Sequence, residues 1–341
     1  MHMLKQSSDM AVRDFYELER QRLGSSQRWS GVLALERFKA ERALGGKQQN
    51  SQESSGATSD RQALSKWVRD LDDRGRWEHL KELPCQGKAL VALESSSHDP
   101  DWMDQVLQVA PSLFRFGCTS LLDVLPTNCN LFRWNKRADR NCPLCGRPQT
   151  TLHVLNNCAS QLDKYTWRHN SVLLAIADFL GVHLAGDKVK LLVDLPGHRF
   201  HYSIFPPAIY TTAQRPDIVI IDESGAKPAI TVVELTMPAE ENIDAAARRK
   251  KCKYQNLCDE LFHVGWNCEF LSIEVPSRGN MGDSLSRTLS RLVKRGHLTK
   301  FKTADFRTFS KRCSTIALRA SHMIWLTRGS ATIPDNQPLL V

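Results

Sequence analysis

No apolar run in this 341-residue chain approaches the ~18 residues that a membrane-crossing helix needs. The amino terminus carries acids and no apolar stretch, so no secretory signal is expected there and no membrane partner. Without an export signal, the ten cysteines are expected as reduced thiols or metal ligands rather than as disulfides. No internal repeat is visible, which removes support for a repeat architecture. Acids are scarce near the carboxy terminus. Residues 281–341 hold eleven Lys/Arg against three acids, a local +8 within a chain whose net charge is +9. A basic end on a folded chain favours a polyanionic partner, most often nucleic acid, although a solvated basic tail has the same composition.

What is present suffices for a core. Hydrophobic residues make up 41% of the chain, and the length fits two or three compact units. Residues 1–44 read as an amphipathic helical segment carrying Phe15, Leu18, Leu33, Leu35 and Phe38. Residues 45–60 are polar, rich in Gly, Ser and Gln, and read as a flexible linker. Residues 61–135 return to helical patterning, with Trp67, Leu71, Trp77 and Leu80, then Trp102, Val106, Leu107 and Leu113. Asp99-Pro-Asp101 is a helix-start signal. The aromatics here are expected in the core.

A basic lead-in, Arg115, Arg133, Lys136, Arg137 and Arg140, runs into the next module, residues 136–160. Cys142, Cys145, His153 and Cys158 have the spacing C-x2-C-x7-H-x4-C. Zn²⁺ takes four such ligands in a tetrahedron. Two thiolates come from one turn, which Gly146 eases, and the other two ligands from a short helix. Such a module can be ordered by its metal.

Tyr165 to Leu180 then read as a helix closed by Gly181, with Arg168 and His169 on its exposed front, within reach of a phosphate. A local capping role for His169 is the other reading. Short strands are expected near Leu191–Val193 and Phe200–Ile204.

Two β-branched runs, Ile218–Ile221 and Ile230–Val233, flank a polar turn, Asp222 to Pro228, with Gly225 expected to supply an unusual backbone angle. This is a β-hairpin signature. It sets Asp217 opposite Glu234. Like charges so placed repel; they either hydrate separately or share a divalent cation such as Mg²⁺.

Met237-Pro238 and Glu240-Glu241 suit a helix start. Ile243, Ala247, Lys250, Tyr254, Leu257 and Leu261 then recur at helical steps. Lys250 therefore lies on the apolar face, to meet an anion or to snorkel at the rim; Arg248, Arg249 and Lys253 lie off it. A strand at Phe270–Val275 and a helix capped by Asp283 and closed by Gly296 follow. Arg287, Arg291, Lys294 and Arg295 on that helix form a candidate phosphate-tracking face. Residues 300–328 read as basic and partly helical, ahead of a frayed tail from Ala331.

In this order, the cysteine–histidine module, the Trp-Arg-His-Asn helix, the Arg215-Pro-Asp217 strand, the Glu234-Leu-Thr236 strand and the helix ending Lys253-Tyr254 resemble something known. Over roughly residues 110–280 the chain resembles the carboxy-terminal part of the protein of site-specific non-LTR retrotransposons, which carries a restriction-enzyme-like endonuclease. The resemblance implies an α/β fold: a helical amino-terminal region, a CCHC zinc knuckle, and a PD-(D/E)XK core of mixed sheet flanked by helices. Residues 61–135 would be a thumb-like linker, 161–298 the endonuclease domain and 299–341 a basic extension. It implies Mg²⁺ on Asp217 and Glu234. The usual lysine two positions after the second acid is replaced by Thr236, and its role moves to Lys250, with Lys253 as the runner-up. Arg168, His169, Arg215 and Lys253 would join the basic helix in contacting nucleic acid. Target DNA and element RNA would be the partners and the nucleus the location. No Tyr-x-Asp-Asp polymerase signature exists, so the chain would be a fragment of a longer protein. The alternative is an inactive remnant that binds nucleic acid through its knuckle.

Overall fold

The structure is a computed structural model that describes residues 56–95 and 108–332, with side chains for 65–94 and 108–332. The expected helix over residues 9–43, most of the linker, the Asp99 start signal and Trp102 lie outside the described residues. The chain divides into two compact units, Met1–Glu82 and Leu83–Val341. In the first, helix α1 spans Gly56–Glu82. The expected linker therefore ends sooner, since residues 56–60 are already helical; polar composition does not oppose a helical first turn. Trp77 on α1 is 39% exposed rather than core.

The second unit contains helices α2 (Gly87–Ser95), α3 (Pro111–Leu121) and α4 (Asn128–Arg133) before the cysteine–histidine module. After it come α5 (Leu162–Val182), strands β1 (Val189–Val193), β2 (Ile218–Asp222) and β3 (Ala229–Thr236), and α6 (Ile243–His263). Strand β4 (Asn267–Glu274), α7 (Ser284–Lys294) and α8 (Thr303–Leu326) complete it. The sheet is mixed, in the order β1-β2-β3-β4, with the first two pairings antiparallel and β3–β4 parallel. The parallel pair needs a crossover, which α6 supplies.

The alternation of side chains along a strand assigns the two faces. Ile218, Ile220, Val233 and Leu235 join a core with α5, α7 and α8. Val219, Ile221, Ile230 and Val232 face α6 through Tyr254, Leu257 and Leu261. Because both faces are covered, β2 reads as an unbroken apolar run.

Several expectations change. The stretch at Phe200–Ile204 makes a single bridge, His201 to Val193, because the chain doubles back through Gly197 (φ +80°) and then meets Pro206-Pro207. Helix α5 continues past Gly181, where a Cβ would lie 2.5 Å from the Phe200 ring. Gly225 is not left-handed; the six-residue loop closes without that angle. Asp283 makes no side-chain cap and pairs instead with Arg287 at 2.9 Å.

The largest change concerns the basic carboxy-terminal stretch. Residues 303–326 form one helix, α8, whose Phe309, Cys313, Ile316, Ala317, Ala320 and Ile324 are buried. Its first half packs into the sheet core and its second half, with Leu318, Ile324 and Trp325, into a core shared with α3 and with Val154 and Leu155 of the cysteine–histidine module. It is a spine rather than an extension. Lys164 caps its end, donating to the carbonyls of Thr327 and Ser330, both at 2.6 Å.

At the hairpin end of the sheet, His297 Nδ1 lies 3.1 Å from Asp222 Oδ2 and its Nε2 lies 3.0 Å from Thr231 Oγ1. Thr231 is 0% and His297 1% exposed, so this Thr–His–Asp relay is a structural clamp that no substrate reaches. Burial, then Arg295, holds the His297 pKa below its ordinary value against the pull of Asp222. Burial pushes Asp222 up, but its bonds to Ser224 and His297 bring it net below the usual range. Both folded pKa values lie below the unfolded ones. The His297 contribution is complete above about pH 6.5 and fades as pH falls; that of Asp222 fades only at lower pH, through its folded pKa. Below about pH 6.5 the urea midpoint of wild type should therefore lose more per pH unit than that of His297→Gln. Equal slopes for the two proteins would refute it.

Candidate metal centre and acidic site

The chain between Asn141 and Pro148 makes a tight turn. The Cys142 amide donates to Arg147 O (2.7 Å), the Gly146 amide to Cys142 O (2.9 Å), and Gly146 sits at φ +72°. That turn presents Cys142 and Cys145. A π-helical turn, His153–Asn157, followed by Cys158 presents the other two side chains. The four ligand atoms lie within 4.8 Å of one another. Cys142 and Cys158 sulfurs are 4.0 Å apart, Cys145 and Cys158 sulfurs 3.8 Å, and Cys145 Sγ lies 3.3 Å from His153 Nε2. Tetrahedral zinc at ordinary bond lengths sets sulfurs about 3.8 Å apart and sulfur and nitrogen about 3.5 Å apart. The cluster is thus arranged to hold a metal such as zinc. Burial pushes the Cys158 thiol up to about 12, so a cation must displace its proton.

The second site forms where β2 and β3 begin and end. Their register, Ile218 opposite Val233, sets Asp217 opposite Glu234. The two are tied through backbone: the Asp217 amide donates to Glu234 Oε2 (3.1 Å), and the Leu235 amide donates to Asp217 Oδ2 (2.9 Å). The Lys250 ammonium, from the inner face of α6, pairs with Glu234 Oε1. Lys253 does not reach the acids; it lies over the Tyr254 ring at 4.6 Å. Glu234 is 2% exposed. Burial first, then the Asp217 charge, holds its carboxyl above the usual range, against the Lys250 ammonium.

His169, on α5, belongs to this group: Nε2 is 3.3 Å from Asp217 Oδ2. Burial depresses its pKa, but the Asp217 charge and hydrogen bond outweigh that and leave it raised. Its reading as a phosphate contact or a cap gives way to a partner of Asp217. Two tyrosines anchor the strand entry, Tyr202 donating to Pro216 O and Tyr254 to Arg215 O (3.1 Å). Sequence reasoning missed Tyr202 and also Asp194, whose amide donates to Asp217 O at 2.9 Å. A cleft of about 480 Å³ opens beside the acids, lined by His169, Thr236, Arg249, Lys250 and, from the metal cluster's π-turn, Asn156 and Asn157. Thr236 is buried, and among the described residues its hydroxyl has no hydrogen-bond partner. Asn156 Nδ2 donates to Met237 O (3.0 Å) and so joins the two sites.

A scan of protein-family models and a search of curated proteins found no match. The assignment therefore rests on the residues themselves.

Not every expected nucleic-acid contact is free to make one. Arg168 is 2% exposed; it donates to Leu155 O (2.9 Å) and Ser321 Oγ (3.0 Å), because α8 covers the face that would otherwise be open. Arg215 is half exposed but pairs with Asp194. Arg291 and Arg295 both hold Glu269 of β4, at 2.8 and 2.9 Å, because α7 packs on that strand. Arg287 pairs with Asp283, and Lys294 is exposed.

Proposed function

We propose that this chain carries a magnesium-dependent DNA endonuclease of the restriction-enzyme-like PD-(D/E)XK type, as in the carboxy-terminal part of a site-specific non-LTR retrotransposon protein. It would nick target DNA to prime reverse transcription, with the cysteine–histidine cluster as a zinc knuckle beside the nucleic acid. The observation that carries this reading is the pairing of Asp217 with Glu234 across the ladder, with the Lys250 ammonium on Glu234.

The donor set fits a hard cation: two carboxylates side by side, one held protonation-prone by burial first and then by the charge of the other. Asp217 and Glu234 would hold magnesium, which when bound supplies Lewis acidity for an attacking water and for charge growing on phosphorus. Lys250 orients that water or meets the developing charge. His169 holds Asp217 in place and adds positive charge at the rim. The Arg249 side chain lines the same cleft, where a phosphodiester would lie.

One observation favours the alternative, a nucleic-acid-binding protein without activity. Both Glu234 oxygens already accept hydrogen bonds, and the side chain is almost sealed. Nicking of supercoiled plasmid separates the readings. With Mg²⁺, the full chain should relax the plasmid, and Asp217→Ala should lose that activity by roughly 10²–10³-fold. Equal background from both proteins would leave only the binding reading.

A further inference from the structure

We infer that the last turn of α4 and the segment following it form a preformed stacking platform for unpaired nucleotides, with Phe132 and Trp134 as the ring surfaces. Phe132 is 46% and Trp134 40% exposed, against the expectation that aromatics in this region are core. Between and after them stand Arg133, Lys136, Arg137 and Arg140, all exposed. Among the described residues none of these four cations enters an ion pair. The one acid in the stretch, Asp139, turns its carboxylate onto the Asn141 amide at 2.9 Å.

The backbone beneath is fixed. Helix α4 ends in a Schellman turn: Lys136 N donates to Leu131 O (2.8 Å), Asn135 N donates to Phe132 O (3.0 Å), and Asn135 sits at φ +56°. Asparagine tolerates that angle better than most residues. The far end is tied to the metal-cluster turn, with Gln149 N donating to Arg140 O (2.9 Å) and Asn128 Nδ2 to Asn141 O (2.6 Å). A ligand would therefore meet rings whose main chain is already ordered, which lowers the cost of binding.

The chemistry selects the ligand. Cations held in no ion pair, Arg133 donating only to the Cys85 sulfur at 3.5 Å, match a phosphate backbone, and exposed ring faces stack on nucleobases. Base faces are available only where strands are unpaired; in a duplex they are covered by neighbouring bases. Single-stranded DNA and single-stranded RNA share this chemistry. The inference shares its polyanionic partner with the nuclease reading but uses none of its acids, so the two can fail separately.

The test is fluorescence anisotropy of labelled oligothymidylate, oligouridylate and a mixed-sequence duplex against the full zinc-loaded chain, without added magnesium. Phe132→Leu/Trp134→Leu keeps apolar bulk and removes both rings. It should weaken binding to single strands by about 10-fold or more, the scale of one or two lost base stacks, and leave the duplex within about twofold. Phe132→Tyr/Trp134→Phe, which keeps ring faces, should bind as wild type does. The two single-strand arms show whether DNA or RNA is preferred. The inference is overturned if the Leu pair binds single strands normally, as a protein-docking patch would, or loses duplex equally. It is also overturned if the ring-conserving pair loses as much as the Leu pair.

Discussion

Wild-type protein is expected to bind one zinc per chain, and Cys142→Ser protein to bind none and to melt on the order of 10 °C lower. Serine keeps the shape of the side chain but is a poor zinc ligand, and three remaining ligands leave the site open. Isolated zinc modules gain about 10–16 kcal/mol from their metal and unfold without it. The loss here is smaller, because Val154 and Leu155 also pack on Leu113, Phe116, Ile324 and Trp325. A residual loss of about 3 kcal/mol is enough for the stated shift in a unit of this size, at roughly 2–4 °C per kcal/mol. Hydrogen exchange should rise first over residues 140–158, with the sheet still protected. Cys129→Ser, outside the cluster, should keep its zinc. Metal analysis that finds the same stoichiometry in Cys142→Ser would remove the centre.

The parts of both sites that could be read in the sequence are those fixed by local geometry. The cysteine–histidine spacing covers 17 residues of one turn and one helical turn. The opposition of Asp217 and Glu234 follows from an antiparallel hairpin, whose register is set by its loop. The inward direction of Lys250 follows from the period of one helix. What stayed hidden depends on distant pairing. Arg168 looked exposed because nothing local covers it; its cover is α8, 153 residues further on. Arg291 and Arg295 looked free because Glu269 lies across a strand–helix packing that no short-range pattern encodes. The carboxy-terminal stretch looked like a tail because net charge averages over all faces of a helix. Taken by position, Phe309, Cys313, Ile316, Ala317, Ala320 and Ile324 form an apolar stripe at helical spacing.

Lys250→Ala should lower plasmid nicking by roughly 10²–10³-fold, the scale of one lost electrostatic stabiliser, whereas Lys253→Ala should change it less than about tenfold. The two lysines are three residues apart on α6, and only the first meets Glu234; the second lies on the Tyr254 ring. A pH profile separates a catalytic role from support of the fold. The Lys250 ammonium pulls the Glu234 carboxyl down against burial and the Asp217 charge. Without it, Glu234 holds its proton to higher pH, so residual activity should rise towards alkaline pH further than in wild type. A merely destabilised protein would keep the wild-type profile at reduced amplitude. Lys250→Arg keeps the charge and should keep the wild-type profile even where rate is lost, because its fork differs in reach from an ammonium. If Lys250→Ala nicks as well as wild type, or Lys253→Ala loses as much, the convergence of Asp217, Glu234 and Lys250 serves the fold and the nuclease proposal is lost.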